Sequence, residues 1–552
     1  MSVEFSRVSI TVEKLAGIVG KQNVLKEPYQ LYSISKDTIP STHVPKLVVR
    51  PGNAHEVAAI VRLANRLQLS LWPVSTGKNW GYGAASPPKE NTIVLLLDRM
   101  NKITFVSEDL AYAVIEPGVT YEQLNTHLRQ NNLKLWCDTT DGPPGGSVIG
   151  NALERGIGET PYGDHFGNLC GLEIVLPSGE LIQTGGGAFQ KLKTWNTYKW
   201  GVGPYLEGLF SQSNFGIVTK AGIWLMPQPQ TFESFTFELK DQKQFPALID
   251  TVRGLALQGI LQTKLHIVND IVGLSLLTQY SKEGLDNRSS LSKESRQKLV
   301  RKFAVAPWSF AAGLYGSASR VQADKAVIRK ELSWLGNLTF ISDNRVKLIE
   351  RVLTESHRWV SGSPPNLAYN LFARLICGKP PAVLEMVPHM HSILKGKPTE
   401  YFVRHSYFKA STSKPDVNVD PARDQCGLIW FAPIAPLTSS HVGEVLAMCQ
   451  PLFEKYDFDF YVALLLTGPR SVVVLFSIFY VKEHADQCKR AQQLYFELCQ
   501  RTEAAGYQQY RTSIAYTDRI LDCSPGCKKL ASTIKASLDP NNILAPGKYG
   551  VH

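Results

Sequence analysis

No run of about 18 apolar residues occurs in this chain of 552, so no membrane-spanning helix is expected. Its start, MSVEFSRVSITVEKLAGIVG, lacks a charged segment leading into an apolar core, so no signal peptide is expected and the location reads as cytoplasmic. Lys and Arg outnumber Asp and Glu, 59 to 48, for a net charge of +11, yet no block of basic residues and no nucleic-acid motif appears. A diffuse positive field of this kind suits an anionic ligand or an acidic protein partner. Cysteine is sparse and odd in number, nine in all and scattered, which excludes a disulfide scaffold and points to reduced thiols. The one close pair, Cys523 and Cys527, reads as a loop. His389 and His391 are two apart and cannot share a helix face, and no third ligand is near, so no metal is expected. Internal repeats and low-complexity tracts are missing. So are the Walker A and GxGxxG spacings.

What remains is a globular composition, 44% hydrophobic and 19% charged, in a chain too long for one core. Residues 1–40 carry no clear pattern. From there α and β signals alternate. Residues 46–50 (KLVVR) read as a strand, Asn53 with Glu56 as a capping box, and Val57, Ile60, Val61 and Ala64 as one helical face. Strands follow at 70–74, 92–98 and 111–116, and Thr120 with Gln123 heads a second helix. Further strands are expected at 171–176, 181–184 and 216–226. Pro227 and Pro229 mark a boundary near residue 230. Beyond it, a strand at 232–239, helices near 245–257, 293–303, 321–335 and 343–357, strands near 428–434 and 471–481, and a helix over 484–505 make a second α+β unit.

Two stretches resist a purely structural reading. Residues 73–83 run from a strand into Pro73, Ser75, Thr76, Gly77, Lys78, Asn79, Gly81, Tyr82 and Gly83, a loop whose amides, hydroxyls and ammonium suit a pyrophosphate. Residues 141–171 hold Gly145, Gly146, Gly150, Gly156, Gly158 and Gly163 among apolar Val148, Ile149, Ala152, Leu153 and Ile157. Glycine loses the most entropy on folding, so this density implies backbone laid against a flat, anionic ligand.

Four blocks in order resemble the vanillyl-alcohol oxidase and p-cresol methylhydroxylase family of FAD enzymes, which includes eugenol oxidase. They are residues 73–87, 145–165 and 201–229, and the pair 510–520 with 539–550. The resemblance implies an α+β, two-domain flavoprotein: an FAD-binding domain of the p-cresol methylhydroxylase (PCMH) type from 1–228 and 506–552, and an α+β cap with an antiparallel sheet over 229–505. It puts FAD at their junction, with Pro73 to Asn79 on the pyrophosphate and Gly145, Gly146, Ser147, Gly150, Asn151, Gly216, Ile217 and Val218 along the dinucleotide. Gly158, Gly163, Arg511 and Lys548 complete the expected cofactor contacts. A histidine that carries FAD covalently in several relatives falls at Leu428, which cannot form the bond, so FAD is expected to be non-covalent.

The resemblance also implies chemistry. Tyr82, Tyr510 and Arg511 match positions that bind a phenolate, and Asp164 matches the acid near flavin N5. His165 is given a structural hydrogen bond. The expected reaction is hydride removal from the benzylic carbon of a para-substituted phenol through a quinone methide. A larger aromatic metabolite is the alternative substrate, motivated by a divergent stretch at 361–381. O2 or a cytochrome would accept the electrons, and the family implies a homo-oligomer.

Overall fold

The computed structural model describes residues 2–40, 42–189, 192–285, 289–360 and 379–552. Most of the divergent stretch at 361–381 therefore lies outside the described residues. The unpatterned N-terminus is helical over Ser2–Val19 and Pro28–Ser35, the second with Pro28 at its first turn and a Glu27–Gln30 capping box.

Among the described residues, three larger sheets and one two-stranded pair carry the chain. The first has the order β1 (Val24–Leu25), β2 (Leu47–Val49), β4 (Ile93–Leu96), β3 (Leu71–Val74), with β4 parallel to both neighbours. Parallel strands covered on both faces read as apolar runs, and the residues of β2 and β4 are all buried. The crossover helix, Ala54–Leu67, starts where Asn53 accepts from the Glu56 amide at 3.0 Å and stops at Gln68 in the left-handed region. Its expected face, Val57, Ile60, Val61 and Ala64, is the buried one.

The second sheet is antiparallel: β5 (Ile103–Ser107), β6 (Tyr112–Ile115), β10 (Ile217–Trp224), β8 (Leu169–Val175), β9 (Leu181–Gln183). The helix Tyr121–Gln130, capped by Thr120, packs Leu124 and Leu128 into its core. A short pair, β7 (Leu135–Trp136) with β11 (Met226–Pro227), closes this half.

The third sheet comes wholly from residues 231–481. Its strands β12 (Thr231–Leu239), β13 (His266–Asn269), β14 (Trp308–Gly316), β15 (Gly336–Ile341), β16 (Cys426–Phe431), β18 (Tyr461–Leu466) and β19 (Ser471–Val481) pair antiparallel in the order 15-12-14-13-18-19-16. The strand expected at 428–434 is split: β16 ends at Phe431, Pro433 lacks a donor, and β17 (Ile434–Pro436) resumes against β19. The period of two explains the apolar runs. Val472, Val474, Phe476 and Ile478 pack on the helices of one face, while Val473 and Phe479 face the other way with Leu428 and Leu465.

The C-terminal tail returns to the first sheet. Leu544 bridges Leu71 in parallel, so the tail covers the free edge of β3. Lys535, 0% exposed, anchors it by donating to Asp539 Oδ2 at 2.6 Å and to the carbonyls of Leu544 and Asn214 at 2.7 and 3.1 Å. Removing the carboxylate leaves a buried cation without its counter-charge. Asp539→Ala should cost about 3–5 kcal/mol, read as a lower melting temperature and faster proteolysis of the tail. Unchanged melting would show that the pair does not hold it.

Candidate active site

One cavity of about 290 Å³ lies where the first two sheets, the tail and the inner face of the third sheet meet. Four pieces of backbone form it. The loop after β3 supplies Pro73, Ser75, Thr76, Gly77, Lys78, Asn79, Tyr82 and Gly83. The second stretch supplies Gly146, Ser147, Gly150 and Asn151, where Ser147 caps the short helix Val148–Leu153. Ser213, Asn214, Gly216, Ile217 and Val218 come from the turn into β10, and Lys548 and Tyr549 from the tail. The third sheet adds Trp430, Leu465, Val473 and Leu475, joined by His405.

Arg511 is the charged centre. It is 6% exposed, and Nε and Nη2 donate to the Glu154 carbonyl at 3.0 and 2.8 Å while Nη1 donates to Asn79 Oδ1 at 3.1 Å. Its guanidinium lies 5.2 Å from the Tyr82 ring and 5.5 Å from the Tyr510 ring. Burial opposes the charge, but Tyr510, Tyr82 and Glu154 more than offset this and hold its pKa above the ordinary value. Burial pushes the Tyr82 phenol well above its usual range, so it stays a neutral donor. Glu154 is also desolvated, yet Lys548 and Arg511 keep its carboxylate below the ordinary value. It accepts from Lys548 Nζ at 2.6 Å and Tyr549 Oη at 2.7 Å, tying the tail to the cavity floor.

Short backbone bonds fix Tyr82 and Tyr510 relative to one another. Ile514 N donates to Tyr82 O at 2.8 Å, Trp430 N to Gly81 O at 3.0 Å, and Tyr510 N to Ala432 O at 3.1 Å. Gly81 itself does not line the cavity. It takes φ +81° and passes so close to Trp430 that a Cβ would meet the indole at 2.8 Å.

Asp164 is the main correction. It is exposed, and its carboxylate accepts from the Gly167 amide at 2.9 Å, closing a turn on the outside of the cavity wall. The inward side of that turn belongs to His165, which is 3% exposed. His165 bonds Asp138 at 2.6 Å and Asn151 at 2.6 Å, the structural role expected of it. Gly158 and Gly163 are likewise off the cavity and are small for packing reasons: a Cβ at Gly158 would meet Asp138 at 1.5 Å, and one at Gly163 would meet Lys264 at 2.6 Å. Gly145 is exposed with open space around it. Lys78 lines the cavity, but its ammonium is held by Asp420 at 2.5 Å.

Comparison with known proteins identifies the family. A family described as an FAD binding domain matches residues 45–185. The chain is 33% identical to 1'-carboxy-chondrochloren decarboxylase of Chondromyces crocatus, over 96% of this chain and 95% of that protein. It is 30% identical to the 4-cresol dehydrogenase [hydroxylating] flavoprotein subunit of Pseudomonas putida, over 98% and 95%. The chain belongs to the p-cresol methylhydroxylase and vanillyl-alcohol oxidase-like family of FAD-linked oxidoreductases. The fold agrees with this membership. A p-cresol methylhydroxylase with substrate bound superposes with a TM-score of 0.85 at 26% identity, covering 99% of this chain and 97% of that one. For 4-ethylphenol oxidase of Gulosibacter chungangensis, in its isoeugenol complex, the values are 0.86, 25%, 99% and 97%.

The residues present fit the FAD that this oxidoreductase family uses. Five of the ten buried polar atoms without a hydrogen-bond partner among the described residues belong to cavity-lining side chains: Tyr82 Oη, Ser213 Oγ, Asn214 Oδ1, His405 Nε2 and Trp430 Nε1. Unpaired groups at this density mark a surface built for a polar ligand. Gly150 and Gly216 line the cavity, and both are also held small by their neighbours, since a Cβ would meet Ser75 Oγ at 2.9 Å in one case and Ile174 at 2.6 Å in the other. At the expected linkage position, Leu428 is fully buried and does not line the cavity, and Cys426 is buried with Trp80 and Tyr407 instead.

Sequence reasoning missed Glu154, Ser213, Asn214, His405, Trp430 and Tyr549. Tyr549 lies in a recognised block. His405 has no local signal, because the fold alone brings it to the cavity. Asp141 lines the cavity too, and clusters with Glu159 and His266 just outside it, Glu159 lying 3.3 Å from His266 Nδ1. Burial, then Asp141 and Asp138, push the Glu159 carboxyl well up, and burial pushes His266 down. Glu159 thus keeps its proton in the fold and sheds it on unfolding at neutral pH. Its effect is destabilising once pH rises above the ordinary glutamate value. Glu159→Gln cannot ionise and should be more stable by about 1–3 kcal/mol at pH 7. The gap in melting temperature should widen from pH 5 to pH 7.5; a constant gap would contradict the shift.

Proposed function

We propose that this FAD-linked oxidoreductase removes a hydride from the benzylic carbon of a para-substituted phenol by way of a quinone methide. The observation that supports this most directly is a buried Arg511 beside the Tyr82 and Tyr510 rings in one cavity. A phenol entering there meets two phenolic hydroxyls and a permanent cation, which lower its pKa and favour the phenolate. Phenolate electrons then push toward the para carbon, which is what makes a benzylic hydride easy to lose. FAD, when bound, supplies the hydride acceptor. Leu465, Val473 and Leu475 supply an apolar wall that excludes water from the ring. Asp164, outside the cavity, is given no part in the proton transfers.

We assign residues 1–228 and 506–552 to FAD binding and 229–505 to a cap, with Ser75–Asn79, Gly146–Asn151, Gly216–Val218 and Lys548 along the cofactor. FAD is held without a covalent bond, on the ground that Leu428 offers no nucleophile. A second reading keeps the cofactor and enlarges the substrate to an aromatic specialised metabolite, favoured by the relation to a decarboxylase over nearly the whole chain. The net charge of +11 suits an acidic cytochrome as electron acceptor in place of O2.

Anaerobic mixing with a panel of 4-alkylphenols should bleach the flavin. No bleaching with any member would favour the second reading. Arg511→Lys replaces a planar fork by a point charge and should slow that bleaching by on the order of 10²–10³; an unchanged rate would remove Arg511 from the site. After acid precipitation the yellow colour should stay in the supernatant, and a yellow pellet would overturn non-covalent binding.

A further inference from the structure

His405 is 7% exposed and lines the cavity from the cap side. Its Nδ1 lies 2.5 Å from the Phe402 carbonyl, which can only accept, so Nδ1 carries the proton. Nε2 is therefore a bare lone pair, and it is buried with no partner among the described residues. Burial pushes the imidazole toward its neutral form, against the pull of Asp141. A buried acceptor left unmet is costly, and no structural role accounts for this one.

The place of the ring narrows its use. His405 stacks near Trp430 at 6.3 Å between centroids, Trp430 meets Tyr82 edge-on at 5.3 Å, and Tyr82 lies beside Arg511. The three rings form one aromatic wall with the cation at one end and the free Nε2 at the other. Beside His405, the strands of the third sheet present Leu465, Val473 and Leu475, while Asp141 and Ser406 also line the cavity.

We infer that His405 is a specificity-determining residue whose Nε2 accepts a hydrogen bond from a hydroxyl on the para side chain of the bound phenol. The preferred substrates then carry an oxygen substituent on that side chain and are not plain alkylphenols. This rests on the phenol-binding reading above. No covalent bond to His405 is involved.

The test compares two phenols of nearly equal shape, 4-tert-butylphenol and 2-(4-hydroxyphenyl)propan-2-ol. Neither has a hydrogen on the benzylic carbon, so neither can lose a hydride and binding is read alone. Dissociation constants are measured on the flavin-loaded protein, its His405→Phe variant and its His405→Gln variant, which restores an acceptor. The ratio of the two constants should favour the carbinol about tenfold more in the parent than in His405→Phe, and His405→Gln should recover much of it. An equal ratio in parent and His405→Phe, with both phenols bound, would overturn the role of His405 and leave the phenol site standing. Failure of the parent to bind either phenol would overturn both. Flavin released by His405→Phe, or flavin found on a peptide holding His405, would assign the residue to the cofactor and overturn the inference.

Discussion

A guanidinium taken out of water is costly unless every side of it is met, and the surroundings of Arg511 are built around that requirement. Three of its nitrogens donate to Glu154 O and Asn79 Oδ1, leaving the flat faces to Tyr82 and Tyr510. Each partner comes from a different part of the chain. Asn79 is in the loop after β3, Glu154 lies within the glycine-rich stretch, and Tyr510 begins the C-terminal return. Glu154 then holds Lys548 and Tyr549. Meeting one cation's demands thus draws four distant segments to one point, and that point is the cavity.

The third sheet makes the same site possible from the other side. Its strands are apolar on both faces, one covered by helices and the other packed in part against Ile271, Leu274 and Phe303 and in part lining the cavity. Both faces of this sheet are packed, so shifting any strand would disturb close-packed side chains on two sides at once. Trp430 and the wall residues Leu465, Val473 and Leu475 are therefore held by register, and backbone bonds from Trp430 to Gly81 and from Tyr510 to Ala432 carry that rigidity into the tyrosine pair. The precision needed to orient a small planar ring comes from this frame more than from any one contact.

Local patterns in the chain were enough for much of this. The helical face of Val57, Ile60, Val61 and Ala64, the caps at Asn53 and Thr120, and the strands around 46–50 and 471–481 all rest on short-range periodicity, and all occur. The four blocks that identify the family also survive, since glycine and loop chemistry at a close-approach surface tolerate few alternatives. Where a residue points is another matter. Asp164 and His165 are neighbours in one turn; one faces water and the other is buried, and no local rule separates them. Gly158 and Gly163 lie in the right stretch, yet they are small to admit Asp138 and Lys264, not a ligand.

By itself the chain made legible, through local periodicity, many of its helices and strands, and through its resemblance to a flavoenzyme family, FAD and the expectation of Tyr82, Tyr510 and Arg511 as a set. Only the tertiary structure decided which side of each loop meets the cavity. It alone placed Glu154 under the cation and brought His405, far from any recognised block, to the opposite wall. Those outcomes depend on contacts between segments hundreds of residues apart, and the geometry of such contacts is set by packing, which no local stretch encodes.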